Sequence, residues 1–242
     1  LRSSNPEQAQ ILLENIDETH LDDNERELYQ YLTAYNLFIN GDVPQANSLL
    51  ITMARNNQNI NIQVRTLGTL LSVYVSSNDW LNALNTVNRL ETYLKPEYSL
   101  SNAEIERIKF YILNFYNNIG EYDLAKNIAI NLLNTDISPR SRCLTSAELL
   151  NSQVKTTISS ISAINFGKAS RICAKVNELV VLQAINGYLA EFHLASNHPQ
   201  KAVELLESNI SSVEATKYQA LIAGFYSLLA QSHLALKNYP KA

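Results

Sequence analysis

The sequence predicts an all-α fold, an α-solenoid in which antiparallel helix pairs stack one after another. Glycine and proline are scarce, with six of each in 242 residues, and no alternating apolar run bounded by turns indicates a strand. Apolar residues instead recur at the three- and four-residue spacing of a helix face. One short pattern also returns seven times along the chain, which is typical of a repeat architecture.

Each copy of the pattern ends in an alanine, which we use as the reference position of its repeat. The reference alanines are Ala9, Ala46, Ala83, Ala125, Ala169, Ala202 and Ala242, separated by 33 to 44 residues. Three residues earlier stands a proline or a bulky residue: Pro6, Val43, Trp80, Tyr122, Phe166, Pro199 or Tyr239. The residue before that is Asn5, Asp42, Asp79, Glu121, Asn165, His198 or Asn238.

This pattern is that of a helix start. Asn and Asp cap free backbone N–H groups, and Pro suits the first helical position. Every copy therefore predicts the beginning of a helix, called helix B below. We expect the bulky residue to be a buried wedge against the preceding helix, and the alanine to be buried where two helices approach closely.

A longer helix, called helix A, precedes each helix B. The clearest examples run from Leu28 to Ile39, from Val64 to Val75 and from Ile105 to Tyr116. Three local signals predict where such helices begin: the capping-box spacings of Ser101 with Glu104 and of Ser211 with Glu214, and the pair Ser138-Pro139.

The alternation of A and B helices resembles the tetratricopeptide-repeat (TPR) family. Ala34, Ala190 and Ala230 match its small residue in helix A, Tyr74 and Tyr116 its tyrosine, and Gly41 and Gly120 its turn. The stretch from Gly120 to Ala125 is the best single copy, whereas Leu71, Leu113 and Thr157 depart from the small-residue position. The resemblance implies one repeat domain over residues 1–242, a right-handed superhelix whose concave side is lined by A helices. It also implies binding of a protein or peptide rather than catalysis.

Composition and motifs narrow the function further. The net charge is −4 without a basic block, which disfavours nucleic acid as a partner. His193 and His233 occupy equivalent positions, but metal sites usually need three or four ligands, so we expect no metal and no cofactor. Ser152 and Lys155 spell an S-x-x-K motif without its companions, and no nucleophile–base constellation falls on one face, so we expect no enzyme.

The two cysteines, Cys143 and Cys173, fall in the same repeat. Cys143 lies near the start of helix A and Cys173 about two turns into helix B. With a rise of about 1.5 Å per residue, these heights differ by more than a disulfide spans, so we expect two free, packed thiols.

The concave face is the candidate binding site. The residues expected to point inward are Tyr31, Tyr35, Arg65, Ser72, Arg107, Phe110, Asn114, Asn117 and Asn151. Amide side chains pair with peptide backbone groups and arginine pairs with carboxylates, so this row predicts a groove for an extended peptide. The alternative is an ordinary solvated surface in an Asn-rich sequence. The Lys/Asn/Arg clamp of chaperone-tail-binding TPR proteins is not reproduced.

The opening stretch, Leu1 to Glu14, resembles the start of extracytoplasmic TPR regions in bacterial membrane-bound diguanylate cyclases. The resemblance implies a periplasmic sensory domain, joined downstream to a membrane segment and a GGDEF catalytic domain, with homodimers possible. The start at Leu1 and the unfinished repeat at Tyr239-Pro240-Lys241-Ala242 agree with an excised input region. The alternative is a cytoplasmic adaptor that scaffolds a protein complex.

Overall fold

A computed structural model describes residues 6–56 and 59–238, and within these ranges all regular structure is helical. The helices of the first half are α1 (Pro6–Glu14), α2 (Asp23–Ile39), α3 (Val43–Asn56), α4 (Ile60–Ser76), α5 (Trp80–Tyr93) and α6 (Asn102–Asn118). Those of the second half are α7 (Tyr122–Leu133), α8 (Pro139–Thr156), α9 (Ala163–Lys175), α10 (Leu179–Ala195), α11 (Pro199–Ala215) and α12 (Gln219–Ala235). The predicted helix-start residues Asn5, Tyr239 and Ala242 lie outside the described ranges.

The chain forms two compact units, Leu1–Asn118 and Ile119–Ala242. In the first unit α2 packs on α3 and α4 on α5, while α4 lies beside both α2 and α6. In the second unit α8 packs on α7 and α9, α11 packs on α10 and α12, and α10 also contacts α8 and α12. Packing of each helix against its neighbours in sequence confirms the predicted all-α, solenoid-like class, while the handedness of a superhelix stays a prediction.

The repeat pattern correctly locates most of the B helices. Helices α1, α3, α5, α7 and α11 begin at the predicted residues Pro6, Val43, Trp80, Tyr122 and Pro199. The expected caps form at Asp42, which accepts from the Gln45 N–H at 3.3 Å, and at Asp79, which accepts from the Asn82 N–H at 3.3 Å. All six reference alanines within the described ranges are buried, as predicted.

Two of the three A-helix signals are also confirmed. Ser101 Oγ accepts from the Glu104 N–H at 3.3 Å before α6, and Ser138 Oγ accepts from the Ser141 N–H at 3.1 Å before α8. The third signal is wrong, because Ser211 and Glu214 lie inside the last turns of α11 rather than at a helix start. That helix ends only at Ala215, shortly before Lys217, which takes a positive φ of 56°.

Helix α9 begins three residues before the predicted start at Phe166. Ser162 precedes it, and the Ser162 N–H donates to Asn165 Oδ1 at 2.9 Å. Asn165 is therefore the third residue of the helix instead of its cap. The shift places Phe166 within the first turns of α9, where it is buried.

The bulky residues three positions before the reference alanines differ in how deeply they are buried, although the pattern predicts that all are buried. Phe166 is 1% exposed, but Trp80 is 44% exposed, and Val43, Tyr122 and Pro199 are only half-buried. The expectation of a buried Trp80 is thus wrong. Trp80 is the first residue of α5, one turn before the buried face that starts at Ala83, so solvent still reaches its ring.

The expectation of two free thiols is also wrong, because Cys143 and Cys173 form a disulfide with Cα atoms 4.8 Å apart. Counted from the predicted helix start at Phe166, Cys173 lies about two turns into its helix, but its height is set by the end of the helix. Helix α9 ends at Lys175, so Cys173 lies in its last turn, whereas Cys143 lies in the second turn of α8. In an antiparallel pair the last turn of one helix faces the first turns of the other, and the two heights coincide.

Within the described ranges, no helix is long and apolar enough to cross a membrane.

Candidate functional site

Eight of the nine candidate residues lie on the A helices of the first unit. Tyr31 and Tyr35 belong to α2, Arg65 and Ser72 to α4, and Arg107, Phe110, Asn114 and Asn117 to α6. Arg65 and Arg107 both stand eighteen residues before a reference alanine, so successive repeats carry a guanidinium at the same position. Because α4 packs beside α2 and α6, these positions can meet across the three A helices.

The tyrosines of α2 form one side of the site. Tyr31 is buried, and its hydroxyl lies 3.2 Å from Thr69 Oγ1 of α4. The rings of Tyr31 and Tyr35 stack with their centroids 6.1 Å apart. The hydroxyl contact joins consecutive A helices, so Tyr31 holds the α2 side of the site against α4.

Tyr111 of α6 forms the other side and was not among the predicted residues. Its ring occupies the space that a side chain on Gly68 of α4 would take, since a Cβ built there overlaps the ring. The available signal was the glycine itself, because an isolated glycine inside an apolar helix usually has a packing reason. Gly187 stands at the same distance before its reference alanine, and a Cβ there would lie 3.3 Å from Phe225 Cε2 of α12.

We call Tyr31, Tyr35, Arg65, Arg107, Phe110 and Tyr111 the tyrosine–arginine cluster. Burial raises the pKa of Tyr31 and of Tyr111, and the guanidiniums of Arg65 and Arg107 partly oppose that rise at both phenols. The two cations are thus close enough to both tyrosines to act on them electrostatically. Because their pKa values are raised, both phenols are protonated at neutral pH, and the Tyr31 hydroxyl is already within hydrogen-bond distance of Thr69 Oγ1.

The two arginines differ in how their guanidiniums are used. Arg107 Nη1 donates to Glu104 Oε1 at 3.2 Å, in a pair whose side chains are 28% and 11% exposed. Arg65 Nε is buried and has no hydrogen-bond partner among the described residues. A buried polar group without a partner is costly, so Arg65 is the residue of this cluster that most needs an external acceptor.

The polar candidates contribute less to an open surface. The Ser72 hydroxyl donates to the Gly68 carbonyl at 3.2 Å, within its own helix. Asn117 is buried, and the backbone carbonyl of Asn114 accepts from Asn118 Nδ2 at 2.8 Å. The predicted row of amides therefore does not lie open as a whole, and the cluster of aromatic and cationic side chains is the more prominent feature.

Asn151, the ninth candidate, lies on α8 of the second unit and is half-buried. Two basic residues of α8 are paired within the unit: Lys155 contacts Glu191 of α10, and Arg140 contacts Glu178. Burial raises the pKa of Tyr188 well above its usual value, and the carboxylates of Glu148 and Glu191 add to the rise. The A helices of this unit thus carry acidic groups beside a buried phenol, unlike the cationic cluster of the first unit.

His193 and His233 are the two histidines at equivalent repeat positions, each nine residues before a reference alanine. Among the described residues no group of three or more His, Cys, Asp or Glu side chains is arranged to hold a metal ion. Burial lowers the pKa of His193, with Lys201 and His198 adding to the effect. His233 is buried, with its Nε2 3.8 Å from Glu207 Oε1.

The chain matches no model of a known protein family and no curated protein. Its class therefore rests on its own structure: an all-α protein of helices packed in neighbouring pairs, compatible with a helical repeat, with a tyrosine–arginine cluster on the A helices of its first unit.

The buried phenol of Tyr111 should make stability depend on alkaline pH. An unfolded tyrosine loses its proton near pH 10, whereas folded Tyr111 holds its proton to higher pH. The stabilisation is fully present below pH 10 and is lost as the pH rises from there towards the folded pKa, by up to about 1.4 kcal/mol per pH unit. Tyr111→Phe should flatten this loss, as measured by urea unfolding at about pH 8 and about pH 11. Equal losses in the two proteins would contradict the burial of the phenol.

Proposed function

We propose that this chain is a non-catalytic, TPR-type domain that binds a protein or peptide on the A helices of its first unit. The observation that carries the proposal is the tyrosine–arginine cluster, in which a buried Arg65 Nε lacks a hydrogen-bond partner among the described residues. Aromatic residues and arginine dominate the energetic centres of protein interfaces. The cluster combines three tyrosines, a phenylalanine and two arginines, which is the composition of such a centre, although Tyr31 is itself buried.

The repeat architecture supports this function. A solenoid presents equivalent positions of successive repeats along one surface, which suits an extended ligand. Arg65 and Arg107 are such equivalent positions, as are Tyr31 and Phe110, each fifteen residues before its reference alanine. A peptide crossing α2, α4 and α6 would therefore meet an aromatic or cationic side chain on each helix.

We further propose that the domain is the periplasmic input region of a bacterial signalling protein, such as a membrane-bound GGDEF diguanylate cyclase that works as a homodimer. Two observations support this. The stretch from Leu1 to Glu14 resembles the opening of such regions. The disulfide between Cys143 and Cys173 is typical of proteins in oxidising compartments. A ligand that favours one arrangement of the repeats would shift the population towards it and so transmit a signal.

The binding proposal is tested with peptides selected on the folded chain from a random phage-displayed library. Arg65→Ala and Arg107→Ala should each weaken binding of a selected peptide by about tenfold or more, since hydrogen bonds to charged groups contribute about 1.5–3 kcal/mol. Asn114→Ala tests the predicted contribution of the amides in the same way. Fluorescence anisotropy with a labelled peptide measures each affinity.

The matched control is Lys109→Ala. Like Arg107→Ala, the Lys109→Ala substitution removes one positive charge from α6. Lys109 is two residues from Arg107 and therefore lies about 200° around the helix from it. The control should bind the selected peptide as the unaltered chain does. Binding that survives the Arg65, Arg107 and Asn114 changes, or a library that yields no binder, overturns the proposed site.

The signalling proposal is tested by the complete reading frame. A membrane segment followed by a GGDEF domain downstream of the repeats supports it. A long protein without a membrane segment contradicts it and favours the adaptor function instead.

A further inference from the structure

We propose that the tyrosine–arginine cluster recognises a carboxylate carried on an apolar group, with Arg65 as the main partner of that carboxylate. This inference rests on the binding function proposed above and names the chemical group that the site selects.

Arg65 differs from other arginines of this chain in that its Nε has no hydrogen-bond acceptor in the part of the chain that the structure describes. Arg89 and Arg142, two other arginines of this chain, use their guanidiniums internally: Arg89 donates to the Ala54 carbonyl at 2.9 Å, and Arg142 donates to the Leu133 carbonyl at 3.1 Å. Arg65 Nε is buried, yet it has no acceptor among the described residues. A guanidinium has five N–H donors and no acceptor, so a group that satisfies it must itself carry an acceptor.

The electrostatics of the cluster determine the charge of the ligand that it favours. Two cations, the guanidiniums of Arg65 and Arg107, act on the phenols of Tyr31 and Tyr111, and both phenols are protonated at neutral pH. The Arg107 charge is partly compensated by Glu104, whereas no ion pair of Arg65 is found among the described residues. A set of donors with excess positive charge favours an anion, and a planar carboxylate matches the fork of a guanidinium with two parallel hydrogen bonds.

The aromatic residues of the cluster determine the rest of the ligand. Tyr35 and Phe110 are half-buried. The Tyr35 ring stacks on that of Tyr31, and the Phe110 ring lies 6.4 Å, centroid to centroid, from that of Tyr111. Aromatic walls favour an apolar group next to the carboxylate. A fully hydrated anion such as inorganic phosphate would leave these rings unused.

The first unit is acidic overall, so its net charge does not attract an anionic ligand. Residues 1–118 contain eight Lys and Arg but fourteen Asp and Glu, so the unit as a whole repels anions. An anion is therefore held by contact with Arg65 and Arg107 and not by a general positive field. Binding should accordingly depend strongly on Arg65 and little on other basic residues.

The test uses the full chain and a matched pair of probes, phenylacetate and phenylacetamide, in isothermal titration calorimetry. The two probes share their shape and differ in charge. Phenylacetate should bind at least about tenfold more tightly than the amide. Arg65→Gln should remove most of this preference, Arg65→Lys should restore part of it, and the control Lys109→Gln should leave it unchanged. Circular dichroism melts verify that each variant is folded, and if Arg65→Gln is not, the acid–amide comparison on the unaltered chain decides.

A second pair of probes distinguishes the two sources of a carboxylate. Acetyl-Ala-Phe is offered with a free C-terminus and as its amide. Tighter binding of the peptide acid than of phenylacetate assigns the site to a peptide C-terminus, and weaker binding assigns it to a small free carboxylate.

Equal binding of acid and amide in both pairs overturns the inference, as does an unchanged preference in folded Arg65→Gln. If library-selected peptides still bind, the proposed function survives that failure. If phenylacetate binds but no peptide does, the carboxylate site stands and the peptide-binding function fails.

Discussion

Replacing Phe166 with alanine should lower the free energy of unfolding by about 3–5 kcal/mol, the usual cost of truncating a large, fully buried aromatic residue. Phe166 is 1% exposed and belongs to the core of the second unit. Its ring lies 5.5 Å, centroid to centroid, from that of Phe192 on α10, so it joins α9 to the next A helix. Truncation would leave a cavity at the point where the two helices meet.

Trp80→Ala is the matched control for this experiment. Trp80 occupies the same position relative to its reference alanine as Phe166, but it is 44% exposed. Because the cost of truncation follows the buried area and the cavity that is left, Trp80→Ala should cost less than half as much, about 1–2 kcal/mol. Urea unfolding monitored by circular dichroism measures both variants. A larger effect at Trp80 than at Phe166 would contradict the positions of α5 and α9.

Loss of the disulfide between Cys143 and Cys173 should cost about 2–4 kcal/mol. The bond joins residues 30 apart in sequence and ties the start of α8 to the end of α9. Without it the unfolded chain gains conformational freedom, while the buried contacts around it remain. The double variant Cys143→Ala/Cys173→Ala should therefore keep its helices but unfold at lower urea concentration.

A thiol reductant provides the control for this prediction. Dithiothreitol should lower the unfolding midpoint of the unaltered chain and leave that of the double variant unchanged. Both cysteines are buried, so reduction should be slow in the native protein and fast once urea opens it. Unchanged midpoints in the unaltered chain with reductant, and in the double variant, would show that the bond is absent in solution.

Local chemistry explains why the sequence predicts the helix starts so well. A cap such as Asp79 and the alanine four residues later act within one helical turn, so the pattern alone specifies them. Two wrong predictions, a buried Trp80 and two free thiols, concern contacts between helices, which a repeat pattern does not specify. Whether Trp80 is covered depends on a neighbouring helix, and whether Cys143 meets Cys173 depends on where α9 ends.

In the candidate site, too, the sequence predicts residues that share a repeat position but not those that depend on packing between helices. Arg65 and Arg107 could be proposed from sequence because they share a repeat position. Tyr111 could not, since it stands one residue beyond the position of Phe110 and enters the site only because Gly68 leaves space on the adjacent helix. The burial of Asn117 was likewise not apparent, because a repeat position does not specify how deeply its side chain is covered.

The fit of Tyr111 over Gly68 also restricts how this array can change in evolution or by design. In an ideal solenoid any unit can be deleted or duplicated, because each contacts identical neighbours. Here Tyr111 of the third repeat fills the space over Gly68 of the second repeat. Phe225 packs more loosely over Gly187, where an added Cβ would lie 3.3 Å from the ring. Removing the repeat that carries Tyr111 would leave a void over Gly68 unless the new neighbour also carried a large ring there. The order of these repeats is therefore encoded in individual side chains, and deletion of the repeat that carries Tyr111 should destabilise the repeat before it.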